Sequence, residues 1–324
     1  MTSFNLARLP RPRHLLMALA LTTSFAAQAL DPSAEASERS GVAAESAVTG
    51  LFWKVEPPAD AKEKYAPGYL IGTVHIADES YYPLAQPIMQ AIDNTDVLLV
   101  ELDDAQGDQA ENMKLFTSFA SLPKGQTIDD LYSPSTVKKL EQAVGSVGVP
   151  ADSIRKQKPV YTVVTLTVMQ AMRQGLSPEY GIDLYLSRQA RKRPSLKVKG
   201  LETFEGQMKL LDKLPSDEKA VLGYLEEFQQ APEMYRDMGD AWKAGNGGAL
   251  YQAAIAEPMR EAPELKPFYE MLFFERNESM TTGFKQCLSE NLRCMLAVGA
   301  GHMVGPGGIA DLLRKQGFRV TQVK

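Results

Sequence analysis

The stretch Cys294 to Gly308, CMLAVGAGHMVGPGG, constrains the fold most, because a short apolar run feeds directly into a glycine-flanked histidine. The run CMLAV has the length and composition of a buried strand, and Gly299, Gly301 and Gly305 let the backbone turn sharply beside His302. Such a run needs a sheet to enter. An imidazole at its end is well placed to bind something.

A junction of the same kind lies near the other end of the chain. GLFWKVE and YLIGTVH are β-prone runs separated by a polar, Pro-rich stretch, which predicts a hairpin with a long loop, and the second run ends in His75. Leu84, Ile88, Ala91 and Ile92 then follow a helical spacing over Leu84 to Asp93. VLLVELD, residues 97 to 103, reads as a fully buried strand leading to Glu101, Asp103 and Asp104. The last thirty residues repeat the plan: CMLAVGAGH, a short helix over Ile309 to Gln316, Gly317 at its end, and a strand FRVTQV. Both ends therefore read strand, GxxH, helix, strand. Side by side in one sheet, they would bring His75 and His302 to the same edge.

The middle of the chain is predicted to be mainly helical. Apolar spacing marks Leu115 to Ala120, Pro134 to Val144, Val160 to Met172 and Tyr180 to Ala190. LKVKGLE reads as a third buried strand ending at Glu202, and helices follow through Glu205 to Leu211, Asp217 to Gln229 and Lys266 to Gln286. Lys243 to Gly248 is predicted as a loop. The expected fold class is α/β (α+β): a central mixed β-sheet with GxxH-bearing strand ends from both ends of the chain, surrounded by helices and carrying a large helical insertion.

Residues 1–29 have the features of a secretory signal peptide: Arg8, Arg11 and Arg13, an apolar segment from Leu15 to Ala27 too short to span a bilayer, and Ala27-Gln28-Ala29 as a cleavage site. Cleavage is expected after Ala29, which makes the protein periplasmic or secreted, without stable membrane insertion. Residues 30–49, rich in Ala, Ser, Glu and Gly, read as a flexible leader, and order is expected to begin near Gly50 as one domain over 50–324. Loss of the three signal arginines takes the net charge from −5 to −8, since residues 1–29 hold no acid and no lysine. That balance, with no basic run interleaved with aromatics, argues against nucleic acid as a partner and leaves peptides, glycans and other small substrates.

Cys287 and Cys294 are the only cysteines, and an exported chain is expected to pair them. Seven residues of continuous helix rise about 10.5 Å, beyond the roughly 7 Å reach between bridged Cα atoms, so a disulfide requires the helix to end between them, with Asn291 as the breaker.

Outside the signal segment the chain has two histidines, each with glycine three residues before it. Neutral imidazole is a common ligand for divalent metals, and a carboxylate from a neighbouring strand end would complete a site with open positions for water. Glu101, at the mouth of an apolar strand, is the first candidate, with Glu202 placed by the same logic. Arg276 and Asn277 lie on a helix shortly before the cysteines, where the guanidinium could hold a substrate carboxylate. HExxH, GxSxG, a Walker loop and a nucleotide-binding GxGxxG are absent from the sequence.

Six blocks, taken together and in order, resemble the TraB/GumN (Tiki-related) family: YLIGTVH with His75, VLLVELD with Glu101, EYGIDLYLSRQA with Asp183, GLETFEGQ with Glu202, FERNESM with Arg276 and Asn277, and AVGAGHMVGPGGIADLLRKQGFRV with His302. The resemblance implies an α/β fold in which the two GxxH histidines and acidic residues form one site, and relates it to haem-binding ChaN-like proteins and erythromycin esterases (EreA-like). Animal members related to Tiki are regarded as divalent-metal-dependent peptidases. Where the family commonly carries Glu-Gln, this chain has Gly206-Gln207, a small departure at position 206. The resulting expectation is an exported metal-dependent hydrolase, most simply a peptidase. His75, Glu101 and His302 would hold a divalent cation (Mn, Co or Zn), with Glu202, Arg276 and Asn277 in catalytic roles. The alternatives are a non-catalytic haem-, metal- or glycan-binding protein and a metal-independent, esterase-like hydrolase.

Overall fold

The strand β5 (Cys294–Gly299) is buried along its whole length, as a run of apolar and small residues is when it lies at the centre of a sheet covered on both faces. The computed structural model of the protein describes residues 47–59, 65–103 and 109–324. Its strands are β1 (Leu51–Glu56), β2 (Gly68–Thr73), β3 (Val97–Val100), β4 (Lys197–Gly200), β5 and β6 (Arg319–Gln322), in one mixed six-stranded sheet of order β4-β3-β5-β2-β1-β6. The predicted signal peptide and Asp104 lie outside the described residues.

β5 pairs in parallel with β2, from Tyr69 opposite Met295 to Thr73 opposite Gly299, and with β3, from Val97 opposite Cys294 to Val100 opposite Ala297. The two GxxH-bearing strands are thus neighbours, and the acid-bearing β3 flanks them. β1 and β2 form the expected antiparallel hairpin, and β6 closes the far edge against β1. Order reaches back into the predicted leader: Val48 bridges Leu84, its amide donating to Pro83 O and its carbonyl accepting from Ala85 N.

β4 differs from its sequence reading. It is an edge strand, with Lys197 and Lys199 exposed, rather than a buried one. The alternation of lysine in KVKG is the signature of an edge that must not pair further, and it outweighs the apolar residues around it. Glu202 accordingly lies two residues past the strand. The ladder nonetheless continues, Leu201 N donating to Val100 O and Glu202 N to Glu101 O, so the backbone holds the two glutamates side by side.

Around the sheet run α1 (Gln86–Asp93), α2 (Gln109–Ala120), α3 (Pro134–Ser146), α4 (Pro159–Arg173), α5 (Ile182–Arg191) and α6 (Phe204–Leu211). α3 and α4 both start with proline in the first turn, where its missing N–H costs nothing. α7 (Glu218–Lys243) is longer than the helix expected over Asp217 to Gln229: Asp217 caps it, and it runs on through Pro232. The loop expected at 243–248 is shorter, because Lys243 still belongs to α7 and Gly247 opens a further helical stretch.

The helix predicted over Lys266 to Gln286 is one helical path interrupted by a π turn at Glu270–Phe274, after which α8 (Glu275–Ser289) continues. α8 ends before Asn291, whose φ of 59° reverses the chain toward β5. This lets Cys287 on α8 and Cys294 on β5 form a disulfide with Cα atoms 6.3 Å apart. α9 (Ala300–Met303) and α10 (Ile309–Lys315) complete the chain before β6. No helix among the described residues is long and apolar enough to cross a membrane.

Candidate functional site

His75 follows β2 by two residues, and the segment it sits on is tied to the start of α5: Ile182 N donates to Val74 O, and Ala77 bridges Ser177. That pairing brings Asp183, in the first turn of α5, against the ring, with Nδ1 of His75 3.1 Å from Asp183 Oδ2. A carboxylate at this distance accepts a hydrogen bond from Nδ1–H and leaves Nε2 as the acceptor nitrogen. His75 is buried, whereas the Asp183 side chain is 17% exposed.

His302 follows β5 by three residues and is completely buried in α9. Its Nδ1 lies 2.6 Å from Asn277 Oδ1. The amide nitrogen of Asn277 donates to Gly307 O at 2.9 Å, so Oδ1 faces the ring as an acceptor and Nδ1 of His302 carries the proton. Nε2 then presents a lone pair. It has no hydrogen-bond partner and lies 3.9 Å from Glu101 Oε1. Phe273 packs on this ring with centroids 5.3 Å apart.

Glu101 is one residue past β3 and 2% exposed. Its Oε1 accepts from the backbone of Gly299 at 2.6 Å, and Oε2 accepts from Arg276 Nη2 at 3.1 Å and Gln207 Nε2 at 3.3 Å. Arg276 grips Glu202 with two bonds, Nε to Oε1 at 2.6 Å and Nη2 to Oε2 at 2.7 Å, and spends Nη1 on Leu272 O. Leu272 lies in the π turn immediately before α8, a local widening of the helix that recurs at functional sites. Gln207, on α6, bridges both carboxylates, donating also to Glu202 Oε2 at 3.0 Å.

The electrostatics follow from burial. Loss of solvent pushes the Glu101 carboxyl above its ordinary value, opposed by the charges of Arg276 and His75. Burial, reinforced by Arg276 and His75, holds His302 well below the ordinary histidine value and so neutral. For Arg276, burial acts to lower the guanidinium, but its hydrogen bond to Glu202 and the charges of Glu101 and Glu202 leave it above its ordinary value.

The structure therefore brings His75, Glu101, Glu202, Arg276, Asn277 and His302 into one polar cluster at the ends of β2, β5 and β3. Asp103 is outside it, paired with Arg191 at 2.8 Å. Asp183 and Gln207 belong to it and were absent from the site set drawn from the sequence. Both had a usable signal in the resembling blocks: Asp183 stands in EYGIDLYLSRQA, and Gln207 matches the glutamine of the Glu-Gln pair.

The donors can be tested against a divalent cation. Among the described residues no group of three or more His, Cys, Asp or Glu is already gathered as a metal site. Two bonds of about 2.0–2.2 Å span up to roughly 4.2 Å, so the 3.9 Å between His302 Nε2 and Glu101 Oε1 lets both reach one ion. The unpaired Nε2 of His302 and the excess of carboxylates over guanidinium fit a cation there.

The family model for the TraB/PrgY/gumN family matches residues 51–322. The chain is 27% identical over 248 residues to the uncharacterized protein YbaP of Escherichia coli (strain K12), covering 76% of this chain and 87% of that one, and matches YbaP of Shigella flexneri to the same extent. No solved structure matches it. The matched span takes in every strand of the sheet and every residue of the cluster, and the chain belongs to the TraB/PrgY/gumN family.

Proposed function

We propose that the protein is an exported metal-dependent hydrolase, most simply a peptidase, whose cation is held by His302, Glu101 and His75. The observation that carries this reading is the buried Nε2 of His302, a lone pair without a hydrogen-bond partner, 3.9 Å from Glu101 Oε1. Asn277 and Asp183 fix the tautomers that present both Nε2 atoms as acceptors, the usual arrangement behind metal-bound histidines. Glu101 and Glu202 share the single guanidinium of Arg276, while Asp183 lies against the His75 ring, and this excess of carboxyl groups favours a cation. A divalent ion there would lower the pKa of bound water and polarise a substrate carbonyl.

The chain's own residues supply the rest. Glu202, 17% exposed in its side chain, is the carboxylate of the Arg276 pair that meets solvent, and it is placed to accept a proton from water. Arg276 holds both glutamates in register and keeps Glu202 from swinging away. Asn277 acts on His302 rather than on a substrate, since both polar atoms of its amide are engaged.

A second reading rests on the His75–Asp183 pair, which by itself is the acid-oriented imidazole of a general base and would serve a metal-independent hydrolase. Protein purified without a histidine tag, stripped with chelator and assayed on a mixture of synthetic peptides with and without added Mn, Co or Zn, separates the two. Cleavage restored by one metal supports the first. Cleavage unaffected by chelator and lost in Asp183→Asn supports the second.

A further inference from the structure

The cluster contains a buried acceptor that has no hydrogen-bond partner among the described residues. Gln207 is 1% exposed, and its Nε2 donates to Glu101 Oε2 at 3.3 Å and to Glu202 Oε2 at 3.0 Å. Turning the amide over would set its oxygen against two carboxylate oxygens, so the orientation is fixed by repulsion as well as by the bonds. Oε1 is left buried with no hydrogen-bond partner. An acceptor in that state is unfavourable unless a donor arrives.

The side chains it is bonded to, and the arginine behind them, do not supply that donor. Glu101 and Glu202 are acceptors, and the Nε, Nη1 and Nη2 of Arg276 are engaged with Glu202, Leu272 O and Glu101. Glu202 is the member of this group that reaches solvent, so a molecule entering along it meets Gln207 next.

We infer that Gln207 Oε1 is the acceptor for an N–H group of the substrate, which makes Gln207 a specificity-determining residue. This rests on the peptidase reading above: a polypeptide presents such an N–H beside each carbonyl, whereas an ester analogue lacking it leaves the buried oxygen unsatisfied. Sites built around a buried polar partner reject analogues that lack it.

The test uses a peptide cleaved by the wild-type protein from a synthetic octapeptide mixture in the presence of Mn. Analogues of it replace one backbone N–H at a time, away from the cleaved bond, by an ester oxygen. One analogue is expected to lose on the order of tenfold in kcat/KM. Gln207→Met should erase that difference, and Gln207→Glu, which keeps an oxygen acceptor, should retain it, with near-UV circular dichroism verifying that both are folded. Equal cleavage of all analogues by the wild-type protein, or an unchanged amide-to-ester ratio in folded Gln207→Met, overturns the inference alone. Absence of peptide cleavage under every metal overturns the peptidase reading and the inference with it.

Discussion

Asn277 Oδ1 lies 2.6 Å from His302 Nδ1, and the bond from its amide nitrogen to Gly307 O settles which end of the amide faces the ring. One side chain on α8 thereby fixes the tautomer of a histidine that β5 delivers. Asn277→Ala removes this anchor and leaves His302 Nδ1 and Gly307 O without it. The expected result is a loss of roughly 10- to 100-fold in metal affinity or activity, with about 1–3 kcal/mol of stability lost. Metal titration beside urea unfolding measures both.

Arg276 is the only cation bonded to Glu101 and Glu202 among the described residues. Arg276→Leu leaves the buried Glu101 charge uncompensated and should cost about 3–5 kcal/mol. Arg276→Lys keeps the charge but cannot reproduce a fork that grips Glu202 twice while reaching Glu101, so it should recover only part of the loss. Urea unfolding of the three proteins gives the comparison.

The disulfide Cys287–Cys294 joins α8, which carries Arg276 and Asn277, to β5, whose Gly299 amide holds Glu101. It closes a short loop, for which chain entropy gives a stabilisation of about 2–3 kcal/mol. Cys287→Ala/Cys294→Ala should lower the unfolding free energy by about that amount. The wild-type protein under reducing conditions should match the double variant, and equal stability of all forms would contradict the assignment.

Acid should weaken the fold through its paired surface carboxylates. The side-chain hydrogen bond from Arg293 holds Asp96 below its ordinary value of 3.8, and that from Lys315, with the amide of Gly307, does the same for Asp311. A folded value below the unfolded one means the contribution is complete above the unfolded value and is lost as pH falls through the folded one. Stability should therefore decline as pH drops below about 4. Asp96→Asn should flatten that limb of the pH curve, as measured by urea unfolding from pH 3 to 7.

The parts of the fold that sequence reveals are those where one physical signal dominates. CMLAVG and VLLV are apolar without alternation, and only a doubly covered sheet accommodates that, so the central strands and the histidines after them were legible. Asn291 was legible because seven residues of helix cannot bring two cysteines together. β4 was misread because the apolar residues of LKVKGLE were weighed above the alternating Lys197 and Lys199 that mark an edge. The π turn at Glu270–Phe274 was invisible, since its sequence EMLFF suits an ordinary helix equally well. Asp183 and Gln207 were missed for a related reason: one acid or amide on a helix becomes a site residue only through partners 108 and 106 positions away.

The most direct measurement of the central claim is the metal content and affinity of protein purified without a histidine tag, wild type beside His302→Ala. One divalent ion bound per wild-type chain, with affinity lost in His302→Ala while the fold is retained, is the expected result. A folded wild-type protein that binds no Mn, Co or Zn, or a His302→Ala variant that binds as tightly as wild type, would contradict it.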